Sequence, residues 1–146
     1  MSDRVVGLTV PAEPSFARTV RMLASNLAVV CGMDVDDVDE VRMAAEEGFV
    51  FACATNTSGC EVAFSLDDSR IDMTFSLGEQ FSHASEDEEE IPDALRYADL
   101  LLSAVCDEYE VDREHNLLRL AKVAGGKRAY QEPDGLYHPR RHNRVC

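Results

Sequence analysis

Three side chains near the C-terminus have metal-ligand spacing. His138, His142 and Cys146 stand four residues apart, so a helix would bring them to one face, and imidazole with thiolate suits zinc. Pro139 opposes that helix and no fourth ligand is evident, so no metal is expected. Two nucleophiles, Ser58 and Cys60, have no histidine nearby in sequence, and His83 and His115 fall in polar stretches. Triad members need not be sequence neighbours, but nothing points to one here. The five cysteines, Cys31, Cys53, Cys60, Cys106 and Cys146, are odd in number and include no CxxC pair. That usage predicts a reducing, cytoplasmic setting without disulfides. Cys31, Cys53 and Cys106 fall in apolar helical patterns, where a free thiol behaves as a small hydrophobe.

Charge narrows the partners. The 146-residue chain has a net charge of −14. Residues 124–146 hold five basic and two acidic side chains, a net of +3, which leaves −17 on residues 1–123. So acidic a body repels nucleic acid and anionic membrane and attracts a basic protein. The basic stretch PRRHNR, residues 139–144, suits docking on acidic surface, and the acidic body of the same chain is the expected surface. No apolar run approaches the roughly 20 residues that span a bilayer, so no membrane partner is expected.

The elements that must position any site are legible from periodicity. Residues 5–10, VVGLTV, read as a strand ending at Pro11. Pro14 opens a helix whose apolar stripe is Phe16, Val20, Leu23, Leu27 and Val30, with Gly32 as its C′ residue. Asp34 caps a second helix, and Asp36, Asp37, Asp39 and Glu40 crowd its first turns, where the helix dipole favours anions. Its small apolar face runs from Val38 to Ala52, and it should stop near Thr55 and Asn56. Val62, Phe64 and Leu66 alternate on one strand. Ile71, Met73, Phe75 and Leu77 alternate on its hairpin partner, with Asp67, Asp68 and Ser69 as the turn. A polar loop follows over residues 78–92, with the acidic run Glu86-Asp87-Glu88-Glu89-Glu90. A third helix begins near Pro92 and buries Leu95, Ala98, Leu101, Leu102 and Val105. Tyr109 with Val111, then Asn116 to Val123, form a last hairpin. The order β-α-α-β-β-α-β-β predicts an α/β (α+β) two-layer sandwich, with three helices on one face of a mostly antiparallel sheet. The expected domain is 1–123, with 124–146 as a basic tail.

This order and several phrases resemble the anti-sigma-factor serine kinases of bacteria, a branch of the GHKL ATPases with the Bergerat fold. The resemblance covers roughly residues 5–123. LTVPAEPSFARTVR is similar to that family's first strand and helix, and DVDDVDEVRMAAEEG to the approach to its second helix. The resemblance implies a pocket for ATP and Mg²⁺ on the second helix. There a Glu orients or deprotonates the attacking hydroxyl, and an Asn four residues on binds the metal. Glu47 stands at the Glu position, but Phe51 stands at the Asn position, and a phenyl ring offers Mg²⁺ no oxygen. Asn56, nine residues past Glu47, lies on the wrong face or beyond the helix. The family's adenine-reading Asp-Gly is replaced by Leu77-Gly78. Its phosphate-binding glycines precede the last helix, where this chain reads EEEIPDALRYADLLL, without a glycine.

Metal, adenine and phosphate contacts are thus all altered. The expectation is a degenerate member, with Glu47, Phe51, Leu77 and Gly78 as a vestigial pocket filled by apolar side chains, and with no cofactor. The resemblance also implies a partner surface. Arg18, in the phrase SFAR, stands where the family's first helix contacts a sigma factor or its antagonist, and Arg21 lies three residues on. Family members commonly dimerise, so a homodimer is implied as well. Two alternatives stay open: an active serine/threonine kinase that uses ATP and Mg²⁺, and a small-molecule sensor with Glu47 as its polar anchor.

Overall fold

The computed structural model describes residues 4–55, 58–78 and 93–126. Asn56, His83, the acidic run 86–90 and the tail from Lys127, with His138, His142 and Cys146, lie outside the described residues.

Among the described residues the elements follow the expected order. They are β1 (Arg4–Pro11), α1 (Ala17–Val30), α2 (Val35–Cys53), β2 (Gly59–Asp67), β3 (Arg70–Ser76), α3 (Asp93–Val105), β4 (Glu108–Asp112) and β5 (Leu117–Val123). The strands form one sheet in the order β1-β2-β3-β5-β4. Every pairing is antiparallel, so this α+β sheet is wholly rather than mostly antiparallel.

Local signals place the boundaries. Pro14 starts a single 3-10 turn, Pro14–Phe16, that leads into α1. At the other end Gly32 takes φ +79°. There Met33 N–H donates to Ala28 and Gly32 N–H to Val29, both C=O groups of the last helical turn. This is the Schellman arrangement, and it turns the chain at once into α2. Asp34 caps α2 by accepting the Asp37 N–H at 2.9 Å. The β2–β3 turn closes on Asp67 opposite Arg70, with Ser69 at φ +58°.

One expectation about α1 is corrected. Its buried residues are Ala17, Val20, Ala24, Leu27 and Ala28. Phe16 and Leu23 are only partly buried against the core, and Val30 is 54% exposed. Alanines therefore set the buried face, and small side chains let α1 lie close to α2.

Helix α2 is central. It contacts α1, α3, β2, β3 and β5. Its buried residues accordingly wrap around much of its circumference, from Asp37 to Ala52. Gly48 marks the tightest approach, since a Cβ there would stand 2.7 Å from Phe75 Cε1 and 3.1 Å from Leu120 Cδ1. Under α2 the sheet buries Val62, Phe64, Leu66, Ile71, Met73, Phe75, Leu118 and Leu120, the alternating sets of three strands. The opposite face carries Arg70, paired with Asp72 at 2.8 Å and Glu108 at 3.1 Å, and Arg119, paired with Asp112 at 3.1 Å. Of these, the Arg70–Glu108 pair, the most exposed, contributes only ~0–1 kcal/mol.

The same alternation carries Lys122 inward after Leu118 and Leu120. Its side chain is fully buried. Its Nζ donates to Glu40 Oε1 at 2.9 Å and to the Val105 carbonyl at 2.9 Å. One ammonium thus ties β5 to α2 and to the end of α3. Nearby, the buried Asp37 accepts the Gly125 N–H, and Asp107 Oδ2 accepts the Val123 N–H at 2.7 Å. The acidic first turns of α2 are therefore partly internal structure rather than solvated surface.

Removing one partner of such a pair strands the other charge in the core. Glu40→Ala should destabilise the protein by about 3–5 kcal/mol. The double change Glu40→Leu with Lys122→Met should recover most of that loss. Urea unfolding of the parent and both variants measures this directly. A single variant as stable as the parent would mean that the pair contributes little.

Candidate functional site

Helix α2 and the end of β3 bring the expected pocket residues into one region. Glu47 and Phe51 are one turn apart on α2, but their surroundings differ. Phe51 is fully buried in the core, whereas Glu47 is only half-buried. Burial, reinforced by the neighbouring Glu46 carboxylate, raises the Glu47 pKa above its ordinary 4.5. Glu46 itself pairs with Arg21 of α1 at 3.0 Å.

Leu77 is 5% exposed, so its side chain belongs to the core. The backbone after β3 is also committed internally. Leu77 N–H donates to the Asn116 carbonyl at 3.0 Å, and its own carbonyl accepts from Asn116 Nδ2 at 2.8 Å. The buried Gly78 N–H donates to Thr55 Oγ1 at 2.7 Å, and that hydroxyl donates to the Ala52 carbonyl at 2.6 Å. Thr55, just past α2, is thus a latch between the helix and the strand end. Asn116 takes φ +59° in the β4–β5 turn, which aims its amide at Leu77. Its Oδ1 is buried and has no hydrogen-bond partner among the described residues.

These residues do not fit Mg²⁺–ATP. The position that the resemblance assigns to the metal ligand carries a phenyl ring sealed in the core. The position that the resemblance assigns to the adenine acceptor carries a buried isobutyl group. No step through a bound nucleotide is derived from them.

Other candidates find structural uses. Burial pushes the Cys53 thiol up to about 11, and it also raises Cys31 and Cys60. Such thiols are protonated at neutral pH and are poor nucleophiles. His115 is exposed and sits 2.9 Å from Asp112. Among the described residues no group of three His, Cys, Asp or Glu side chains is arranged to hold a metal. Nor is any described helix long and apolar enough to cross a membrane.

The partner-facing residues divide. Arg18 is exposed on α1, whereas Arg21 is spent partly on Glu46. Sequence reasoning passed over Thr55, Asn116 and the Lys122–Glu40 pair. The pair had a signal, a lysine on the buried parity of a strand. The latch had none, because its partners lie 23 and 39 residues away.

No protein-family model and no curated protein sequence matches this chain.

Glu47 gives a pH test. Its raised pKa means that the folded state holds this proton more tightly than the unfolded state does. The group's contribution to stability is therefore largest below pH 4.5 and is lost as pH rises through 4.5 to the raised value. Glu47→Gln stays neutral, so it should unfold at higher urea than the parent at pH 7, and the two should converge below pH 4. A variant less stable than the parent at pH 7 would show that the carboxylate is favourably held.

Proposed function

We propose that this chain is an anti-sigma-factor-like regulator that acts in the cytoplasm by binding a protein partner and does not turn over nucleotide. The observation that carries the reading is the burial of Phe51 and Leu77 at the two positions where the resembled kinases need polar ligands. The engagement of Gly78 by Thr55 supports it further, because that backbone is tied to the helix. The partner surface is the exposed face of α1 around Arg18, and the partner is a sigma factor or its antagonist.

Calorimetric titration with ATP, with and without Mg²⁺, tests the loss of the pocket. No heat is expected at about 1 mM ATP, a concentration that reveals any site with a Kd below roughly that value. Mg²⁺-dependent binding would restore the serine/threonine kinase reading, with Glu47 as base. Binding of ATP or another small molecule without Mg²⁺ would favour the sensor reading. One observation speaks for that second reading: the buried Asn116 Oδ1 beside Leu77, without a hydrogen-bond partner among the described residues, is an acceptor that a ligand donor would satisfy.

The partner surface has its own test. Purified bacterial sigma factors and their antagonists are screened for binding, and Arg18→Ala is compared with the parent on any that bind. A weakening of about tenfold or more is expected, the effect of losing one well-placed arginine anchor. Unchanged affinity would remove Arg18 from the interface.

A further inference from the structure

Four of the large apolar side chains that the domain leaves in solvent lie together along α1 and the start of α2. Met22 is 59% exposed, Val29 62%, Val30 54% and Val35 58%. Met22 and Val29 are seven residues apart, so they share one face of α1, about 10 Å apart along its axis. Val30 and Val35 flank the tight turn between the helices. This apolar strip is bordered on α2 by Asp34 and Asp36, and by Asp39, which already pairs with Arg42 at 3.0 Å. Its complement is a segment that combines apolar and basic side chains.

The chain carries such a segment. Residues 136–145 read LYHPRRHNRV, with Leu136, Tyr137 and Val145 around Arg140, Arg141 and Arg144. The place where the tail leaves the domain points the same way. Gly125 N–H is held by the Asp37 carboxylate at 3.1 Å and 3.2 Å. Asp37 lies in the first turn of α2, two residues from Val35. The tail therefore leaves the domain at the first turn of α2, about 200° around that helix from Val35, and its first residues after Gly126 are Lys127 and Arg128. Nine residues, 127–135, separate Gly126 from Leu136, a link of about 33 Å when extended.

We propose that residues 136–145 of this same chain dock on the strip formed by Met22, Val29, Val30 and Val35, with their arginines against Asp34, Asp36 and Asp39. Burial of the exposed valines supplies the attraction, and the opposite charges set the place and direction. The strip continues along α1 to Arg18, one turn before Met22. On the partner-binding reading above, the docked tail then competes with the partner for that helix face.

NMR relaxation on the ¹⁵N-labelled full-length protein tests the docking without any partner. The parent is compared with Arg140→Glu/Arg141→Glu/Arg144→Glu and with Val35→Asp, a change at an exposed first-turn position that tolerates an acid. In the parent, backbone order parameters over 136–145 are expected near the ~0.85 of rigid backbone, and in either variant below ~0.6. The charge reversal should shift amide resonances of residues 22–39 and leave the sheet unchanged. Raising salt from about 0.1 to 1 M should loosen the tail in the parent, as the Debye length falls from ~10 to ~3 Å. A tail already mobile in the parent overturns the proposal. So do shifts that map to the acidic run 86–90 instead of α1 and α2. Order that grows with protein concentration also overturns it, because it assigns the tail to a second copy.

Discussion

A single buried ammonium organises the helical layer. Lys122 sits where an apolar side chain would ordinarily fill the inner face of β5, and it holds Glu40 of α2 and the Val105 carbonyl at the end of α3 at once. Burying both charges costs several kcal/mol before their attraction is counted. The pair is therefore better understood as fixing position than as adding stability. An ion pair has one satisfactory geometry, whereas methyl groups have many. With Glu40 fixed, α2 cannot slide along the sheet, and Gly48 must meet Phe75 and Leu120 where no Cβ fits.

The candidate pocket inherits that constraint. Once α2 is set at Glu40 and Gly48, Phe51 can only point into the core, one turn beyond Gly48. Thr55 then falls beside the end of β3, where its hydroxyl takes the Gly78 N–H. The residues that the kinase resemblance would assign to a ligand are thus built into the same packing that holds the domain together. Burying a phenylalanine is worth roughly 1.5–3 kcal/mol. Glu47 keeps one side toward water, and burial still disfavours its charge.

Much of this was legible in the sequence because it is local. Alternation in Val62–Leu66 and Ile71–Leu77 identified the inward side chains, and capping residues at Asp34 and Gly32 set two helix ends within a residue or so. What escaped is non-local or depends on orientation. Periodicity alone does not distinguish Val30 from Ala28, and tight packing chose the alanine for the interior. The acids at 37 and 40 read as first-turn charges favoured by the helix dipole, because their partners Gly125 and Lys122 lie more than 80 residues away. At the positions the resemblance singles out, the apolar Phe51 and Leu77 were plain from residue type. The Thr55 and Asn116 bonds that close the strand end needed three dimensions.

The placement of the apolar residues also bears on how a binding protein with this core would work. The inner face of α2 is fixed from both sides, so a partner cannot be sensed through it without breaking the Lys122 tie. The outer face of α1 is different. It is held by alanine contacts on one side and leaves Met22 and Val29 in water on the other. Changes of occupancy on that face leave the buried ion pair and the Thr55 latch untouched. Regulation by competition at a surface is therefore compatible with this architecture, whereas regulation through Phe51 and Leu77 would have to work against the packed core.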